Sequence, residues 1–235
     1  INTTFGSIDD SAKCSVTFDT GSDTLSTQKV LRGQTASRPG DPTKEGYDFV
    51  EWLKDGKAYD FSTPVTENIT LTARWLVRLT GNGTAEDPYQ IDTAEKLKLF
   101  RDIVNGSNGQ TQNRSACAVL TSDIVLNDGT FDDDGNYTGG SNAAPERWTP
   151  MGDFISSYSG TFDGAGHSVK GLYYLVVDNT YDEECLAGLF GSIDGATVMN
   201  VTVNGYIRRG ANPNNGANGM AGGIAGAATN STILG

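Results

Sequence analysis

The sequence contains a single histidine, His167, which lies four positions after Asp163 in the stretch GTFDGAGHSVKGL. An imidazole close to a carboxylate is the usual general base of hydrolases, so this pair is the first candidate for chemistry. Asp163 also fits a hydrogen-bonded turn, because aspartate binds backbone N–H groups two residues further along. Spacing alone supplies no serine or cysteine partner for the ring. A structural role in a turn is therefore the preferred interpretation.

The stretch DDDGN concentrates carboxylate and amide oxygens in one loop, which suits a hard cation such as Ca²⁺. The spacing of an EF-hand is not met, because Thr130 stands where the first ligand belongs and Ser141 where the bidentate glutamate belongs. A solvated acidic loop is preferred, and no cofactor is expected. The calcium candidates are Asp132, Asp134 and Asn136.

A second acidic stretch, VVDNTYDEEC, is followed by the pair Arg208-Arg209. Carboxylates beside arginine are the groups that polysaccharide-cleaving enzymes use, so glycan cleavage is the main enzymatic alternative. Acidic loops are more often simply solvated, and the chain is expected to be non-catalytic. The carboxylates concerned are Asp178, Asp182, Glu183 and Glu184.

Composition excludes several classes of partner. A net charge of −12 repels phosphate backbones and anionic lipids, so no nucleic acid is expected to bind. No apolar run is long enough to span a bilayer, so no direct membrane insertion is expected. Three cysteines are too few for a disulfide framework, and Cys117 and Cys185 stand beside apolar residues, as small core residues do. The opening INTTFG has neither an initiator Met nor a leader, which suggests a piece of a longer protein.

After a lead-in at 1–12, residues 13–77 show the pattern of a small β domain. In ITLTARW at 69–75, apolar residues alternate with Thr and Arg, which predicts a half-buried strand with Trp75 on its apolar face. The sequence Lys54-Asp55-Gly56 predicts a hairpin turn.

Residues 16–75 resemble the Listeria–Bacteroides repeat, also called the internalin B-repeat, through PTKEGYDFVEW and the closing NITLTARW. The resemblance implies a β-grasp-like domain found in secreted and wall-attached bacterial proteins, without catalysis. Glu51 departs from the glycine usual before the tryptophan. Packing is preferred over a glycan platform for the aromatic side chains, which are Tyr47, Phe49, Trp52, Tyr59, Phe61 and Trp75.

A linker at 78–92 leads into one amphipathic helix, predicted at 93–104. Asp92 is the expected N-cap with Glu95 behind it, and Asn105-Gly106 supplies the stop. The apolar stripe must cover a core, and an amphipathic helix is a suitable cap for the open end of a solenoid. The stripe consists of Leu97, Phe100, Ile103 and Val104.

The remainder of the chain is repetitive. GHSVKGLYY at 166–174 aligns with GATVMNVTV at 195–203, which aligns in turn with NSTILG at 230–235. GTFDG, AGLFG and GGIAG precede these segments, which predicts stacked coils of a parallel β-solenoid. In this alignment His167 is equivalent to Ala196 and Ser231, which favours a structural role for the histidine.

Residues 81–235 also resemble the GLUG-motif region of bacterial surface proteins, which occurs in the non-catalytic part of certain immunoglobulin A peptidases. The strongest signatures are GTFDGAGHSV and AGLFG. The resemblance implies a right-handed parallel β-helix, truncated here, on an exported protein. The fold expected is therefore mainly all-β: a β-grasp-like domain at 13–77 and a helix-capped β-helix at 93–235.

The function expected is adhesion, display or ligand binding by an extracellular bacterial surface protein. Its partner would be a host or microbial glycan or protein at the cell surface. The alternatives are a carbohydrate-active β-helix and the accessory region of a larger secreted peptidase. The loops at 127–147 and 208–220 are the expected contact surfaces, and either loop is expected to be dispensable for folding. The candidate binding residues are Asp132, Asp133, Asp134, Asn136, Tyr137, Arg208, Arg209, Asn212 and Asn214.

Overall fold

The computed structural model describes residues 10–21, 26–176, 186–209 and 220–235, with the backbone alone at 175–176 and 208–209. The chain divides into two compact units, Ile1–Arg78 and Leu79–Gly235. β-strand is the main regular structure of the described residues, which contain a single α-helix. No helix in this part of the chain is long and apolar enough to cross a membrane.

Unit 1 is one mixed sheet in which β1 lies between an antiparallel and a parallel neighbour. The strand order is β2-β1-β5-β3-β4, with β1 parallel to β5 and every other pair antiparallel. After a short 3₁₀ turn at Asp10–Ala12, the strands are β1 (Lys13–Asp19), β2 (Ser26–Leu31), β3 (Tyr47–Lys54), β4 (Lys57–Ala58) and β5 (Ile69–Val77).

Alternation along β5 places Ile69, Leu71 and Ala73 in the core, as predicted, whereas Trp75 is only half-buried. The indole of Trp75 donates a hydrogen bond to the Thr20 carbonyl at 3.1 Å. The predicted hairpin turn is confirmed, since Asp55 and Gly56 have φ values of 51° and 77°. Two positive φ angles match the right-handed twist of the flanking strands.

Unit 2 consists mainly of parallel strands that stack in the order of the chain, together with one antiparallel pair, β9-β10. Its largest sheet has the order β19-β15-β11-β7-β6, a second has β16-β12-β8, and two pairs are β13-β17 and β14-β18. The strands are β6 (Tyr89–Ile91), β7 (Ala118–Leu120), β8 (Ile124–Val125), β9 (Thr130–Phe131), β10 (Tyr137–Thr138), β11 (Thr161–Asp163), β12 (Ser168–Val176), β13 (Leu186–Ala187), β14 (Phe190–Asp194), β15 (Thr197–Met199), β16 (Thr202–Arg209), β17 (Met220–Ala221), β18 (Ala225–Thr229) and β19 (Thr232–Leu234).

The register corrects one of the predicted alignments. Val198 pairs with Phe162, 36 residues earlier, and with Ile233, 35 residues later. The second of these agrees with the predicted match of 195–203 to 230–235. The pairing of Val198 with Phe162 disagrees with the predicted match of 166–174 to 195–203. The strand β12 pairs instead with β16, so that Val169 lies opposite Val203.

The same register shows which segments lie at equivalent positions in successive layers of parallel strands. Met151 bridges to Phe190, which pairs with Ala225. WTPMG is therefore the counterpart of AGLFG and GGIAG, whereas the prediction had assigned GTFDG to that place. GTFDG ends in a glycine as AGLFG does, but its Phe162 pairs with Val198, whereas Phe190 of AGLFG pairs with Ala225 in a different sheet.

The helix α1 (Ala94–Asn105) buries its apolar stripe in the core of unit 2. Leu97, Phe100 and Val104 are fully buried, and the Phe100 ring lies 6.0 Å from that of Phe162. The N-cap is Thr93 and not the predicted Asp92, because the Thr93 hydroxyl accepts from the Lys96 N–H. The Asp92 carboxylate instead accepts from the Lys96 ammonium group at 2.9 Å.

The predicted linker at 78–92 ends earlier than expected. Residues 89–91 form β6, which pairs in parallel with β7, and Ile91 is fully buried opposite Leu120. Leu79 and Tyr89 also pack against the core of unit 2. The strand was missed because three residues are too few to show a period.

Replacing Phe100 with Ala is expected to lower the free energy of unfolding of unit 2 by about 3–5 kcal/mol, because a fully buried ring leaves a cavity. Native-state hydrogen exchange at the amides of β7 and β11 measures this change. Lys98→Ala on the same helix is the control, since its partly exposed ion pair with Glu146 contributes less than about 1 kcal/mol. Equal losses in the two variants would contradict the packing described.

Candidate binding surface

The two ends of the insertion at 127–147 are held together where it leaves the stacked strands, at a point called its neck. The side chain of Asn127 is buried, and its amide donates to the carbonyls of Glu146 and Gly171 at 3.0 and 2.8 Å. Its carbonyl oxygen accepts from the Glu146 N–H at 2.7 Å. Asn127 thus joins the two ends of the insertion to each other and to the neighbouring strand β12.

A ladder of aromatic rings holds the insertion against the sheet. Tyr173 and Tyr206 are register partners on β12 and β16. The Phe131 ring from the β9–β10 hairpin stacks on both, with centroid distances of 5.2 and 6.0 Å and interplanar angles of 2° and 21°. Tyr137 lies 5.1 Å from Phe131 on the hairpin itself. The insertion is therefore docked through aromatic packing and does not project as a free loop.

Tyr137, predicted to bind a ligand, contributes to this internal packing. Its hydroxyl donates to the Asp128 carboxylate at 3.0 Å and accepts from the Gly129 N–H at 2.9 Å. Asp128 also accepts from the Ser141 N–H, and these hydrogen bonds lower the pKa of its carboxyl group. The phenol is half-buried and engaged within its own loop.

Asp132 organises the exposed tip of the insertion. One carboxylate oxygen accepts from the N–H groups of Asp134 and Asn136 at 3.0 and 2.8 Å, and the other from the Asn136 amide at 2.8 Å. Hydrogen bonds to the side chain and backbone of Asn136 lower the pKa of Asp132. Asp133 and Asp134 are exposed beside it. The tip is therefore a turn that the hydrogen bonds of Asp132 hold together, called here the stapled tip, and it presents negative charge to solvent.

The candidate calcium set gains no support from this geometry. Two of its three members, Asp132 and Asn136, are hydrogen-bonded to each other. In the described ranges, no group of three or more His, Cys, Asp or Glu side chains is arranged to hold a metal ion.

His167 lies in the corner between β11 and β12. Its Nδ1 is 3.7 Å from Asp123, whose carboxylate accepts from the Ser168 N–H at 2.9 Å and from the Lys170 ammonium group at 3.0 Å. The Ser168 N–H and Lys170 hold the pKa of Asp123 at about 2. The histidine thus contacts a carboxylate that two other groups already engage.

The corner itself differs from the predicted one. Four residues, 164–167, connect β11 to β12, whereas two residues connect β15 to β16. His167 is therefore not equivalent to Ala196 or Ser231, and that part of the prediction is wrong. The predicted turn at Asp163 is confirmed, because its carboxylate accepts from the Ala165 N–H at 2.8 Å.

A groove of about 200 Å³ lies beside β7, β11 and β15, and no pattern in the sequence indicates it. Its lining includes Pro88, Cys117, Thr161, Asp163 and Met199. Cys117 is buried, as predicted, but it lines this groove and is not part of the core cluster. Its position on the outer face follows from the alternation along β7.

Several predicted residues lie outside the part of the chain that the structure describes. Asn212 and Asn214 are among them, as are the carboxylates proposed for glycan cleavage and Cys185. Only the backbone of Arg208 and Arg209 is described, at the end of β16. The carboxylates are Asp178, Asp182, Glu183 and Glu184.

Comparison with known proteins gives two findings. The family model of the Listeria-Bacteroides repeat domain matches residues 15–74, within unit 1. Halomucin from Haloquadratum walsbyi (strain DSM 16790 / HBSQ001) is 30% identical over 125 residues, which cover 53% of this chain and 1% of halomucin. The chain thus spans about one hundredth of the length of that relative.

Replacing Phe131 with Ala is expected to release the hairpin from the sheet, because its ring makes both contacts to the tyrosine ladder. Aromatic pairs contribute roughly 0.5–1.5 kcal/mol beyond area burial, so amide exchange at 130–138 accelerates about tenfold. Phe154→Ala, at a partly exposed ring, is the control and leaves this exchange unchanged. Unaltered exchange in both variants would show that Asn127 alone holds the insertion.

The carboxyl group of Asp123 is expected to titrate near pH 2. Its pKa is lowered on folding, so its contribution to stability is present above about pH 4 and is lost as the pH falls through 2. Carboxyl carbon NMR measures the midpoint, and Lys170→Ala raises it by removing one donor. A midpoint near the ordinary value of 3.8 would rule out the described hydrogen bonds in solution.

Proposed function

We propose that this chain is a non-catalytic segment of a secreted or surface-attached protein that serves adhesion or display. The observation that carries the proposal is the match of residues 15–74 to the Listeria-Bacteroides repeat, within the bounds of unit 1. The similarity of about half of the chain to a short part of halomucin is consistent with it.

In this proposal unit 1 is a β-grasp-like spacer. The sheet order of β2-β1-β5-β3 with a parallel central pair supports that assignment. Its aromatic residues support a packing role, because Phe18 and Trp52 are buried 5.0 Å apart and Phe49 lies 5.4 Å from Trp52. These aromatic side chains therefore pack mainly against one another in the core of unit 1.

Unit 2 would be the helix-capped start of a right-handed parallel β-helix, as its resemblance to the GLUG-motif region implies. The parallel pairing of β11 with β15, β12 with β16 and β15 with β19, at separations of 33 to 36 residues, supports this interpretation. A rigid stack presents its insertions outward while packing constrains the coils. The stapled tip at Asp132, Asp133 and Asp134 then offers a preorganised acidic contact surface.

The partner that suits an acidic, turn-stabilised tip is a basic patch on a glycan-associated or protein surface. Binding would weaken as salt is added, because exposed charges are screened beyond about 8–10 Å at physiological ionic strength. Asn136 adds an amide to the same tip, and its orientation is fixed by Asp132. The loop at 208–220 remains a second proposed contact region.

Incubating the chain with mucins, pectins and glycosaminoglycans tests this function, with polymer length and co-elution followed by size-exclusion chromatography. Because mucins, pectins and glycosaminoglycans are polyanions that an acidic tip repels, chitosan, a cationic glycan, is included in the panel. We expect polymers of unchanged length and co-elution with chitosan. A variant in which Gly-Gly replaces residues 128–145 should fold and lose that co-elution, because Asn127 already closes the neck. Lys54→Ala, in unit 1, is the control and should retain co-elution.

Shortened polymer chains would contradict the non-catalytic assignment and favour a carbohydrate-active β-helix. A deletion variant that folds and still co-elutes would show that the contact with the polymer lies outside the insertion. Absence of co-elution with every polymer would contradict glycan adhesion and favour a protein partner or a spacer.

A further inference from the structure

The groove beside β7, β11 and β15 is lined by side chains on the face of the sheet that points away from the core. Phe162 and Ala118 are buried in the core of unit 2. Their chain neighbours Asp163 and Val119 are half-buried and line the groove. The register places Asp163 between Val119 on β7 and Met199 on β15, and adjacent strands lie about 4.7–4.9 Å apart. A carboxylate therefore lies between two apolar side chains in one row across the groove.

One oxygen of Asp163 is engaged within the chain and the other is not. Oδ1 accepts from the Ala165 N–H at 2.8 Å and from the side-chain amide of Asn200 at 3.0 Å. These two hydrogen bonds fix the orientation of the carboxylate. Within the described part of the chain, Oδ2 makes neither a hydrogen bond nor an ion pair. The second oxygen is thus held in a preorganised position and is available to a donor from another molecule.

The charge of the groove favours a cation. Among the described residues that line it, none is Lys, Arg or His. Glu86 and Asp87 lie in the chain between Ala85 and Pro88, which are two of the lining residues. A cation that approaches Asp163 therefore meets no like charge in the lining, whereas an anion is repelled.

The size of the groove and the single available oxygen restrict that cation to an alkylammonium group. A volume of about 200 Å³ is below the roughly 300–1,000 Å³ of pockets for drug-sized ligands, so the groove suits one side chain. Val119 and Met199 offer apolar surface to a methylene stem. An ammonium group is a point charge that one acceptor can bind, whereas a planar guanidinium is matched by two carboxylate oxygens. Oδ1 of Asp163 is already occupied, which favours lysine over arginine.

We propose that this groove binds a lysine side chain of a partner polypeptide. The ammonium group donates to Oδ2 of Asp163, and the methylene stem lies against Val119 and Met199. The groove lies on a different sheet from β12 and β16, where the insertion docks. The site is therefore independent of the contact proposed for the stapled tip.

Titration of the whole chain with Nα-acetyl-lysine methylamide, followed through backbone amide shifts in NMR spectra, tests the proposal. We expect saturable shifts at the amides of Val119, Asp163 and Met199. The norleucine derivative has a similar stem without the ammonium group, and the arginine derivative carries a guanidinium in its place. Each of these two compounds should bind at least about fivefold more weakly than the lysine derivative.

Asp163→Asn removes the charge but keeps an oxygen that can accept from the Ala165 N–H, so the turn should remain folded. This variant should bind the lysine derivative roughly tenfold more weakly. Asp153→Asn is the matched control, because Asp153 also accepts from an N–H two residues further along, that of Ile155, and lies outside the groove. Met199→Ser shortens one apolar flank and should weaken binding less, with the preference for lysine over arginine retained. The amide spectrum shows that each variant is folded.

Shifts that do not saturate, or that lie away from the groove, would overturn the proposal. Equal affinities for the lysine and norleucine derivatives would exclude recognition of the ammonium group. Equal weakening by Asp153→Asn and Asp163→Asn would show only general attraction to an acidic chain. Tighter binding of the arginine derivative would overturn the choice of lysine, and tighter binding of n-butylammonium chloride would assign the groove to a free amine instead of a polypeptide.

Discussion

Unit 2 depends on the coverage of each layer of parallel strands by the next layer. A single layer has only a few apolar side chains, such as Phe162 and Phe190, and cannot bury them alone. Each becomes inaccessible because a residue about 35 positions away lies directly above or below it in a parallel ladder. The helix α1 contributes to the same core beside β6, which is the terminal strand of its sheet among the described strands. The register of the parallel strands therefore determines where the other features of unit 2 lie.

Because the parallel pairing fixes the positions of the strands, variation in segment length is confined to the connections between strands. Met151 and Tyr158 are seven positions apart in the chain, whereas their partners Phe190 and Ile193 are three positions apart. The additional residues form a turn in which the Asp153 carboxylate accepts from the Ile155 N–H at 2.9 Å. The insertion closed by Asn127 follows the same principle on a larger scale. Each insertion carries its own hydrogen bonds and so adds surface without disturbing the stack.

Local patterns in the sequence predicted much of this fold. Alternation in β5, the hairpin at Asp55-Gly56 and the turn at Asp163 each depend on residues within a few positions, and all three are present. Register between coils could not be read in the same way. GHSV at 166–169 resembles GATV at 195–198 in residue type, which predicts that the two segments stack, whereas β12 pairs with β16 and β15 pairs with β11. Contacts of Phe131 with Tyr173 and Tyr206 join residues up to 75 positions apart and leave no local signal.

The register of the coils is the claim on which the rest depends, and NMR measures it directly. Nuclear Overhauser contacts between backbone protons of 161–163 and 197–199, and between 197–199 and 232–234, are expected from the parallel pairing described. Backbone contacts of 168–170 with 197–199 in place of those with 202–203 would contradict it. That result would restore the predicted match of 166–174 to 195–203 and would change the positions of His167 and of the aromatic ladder.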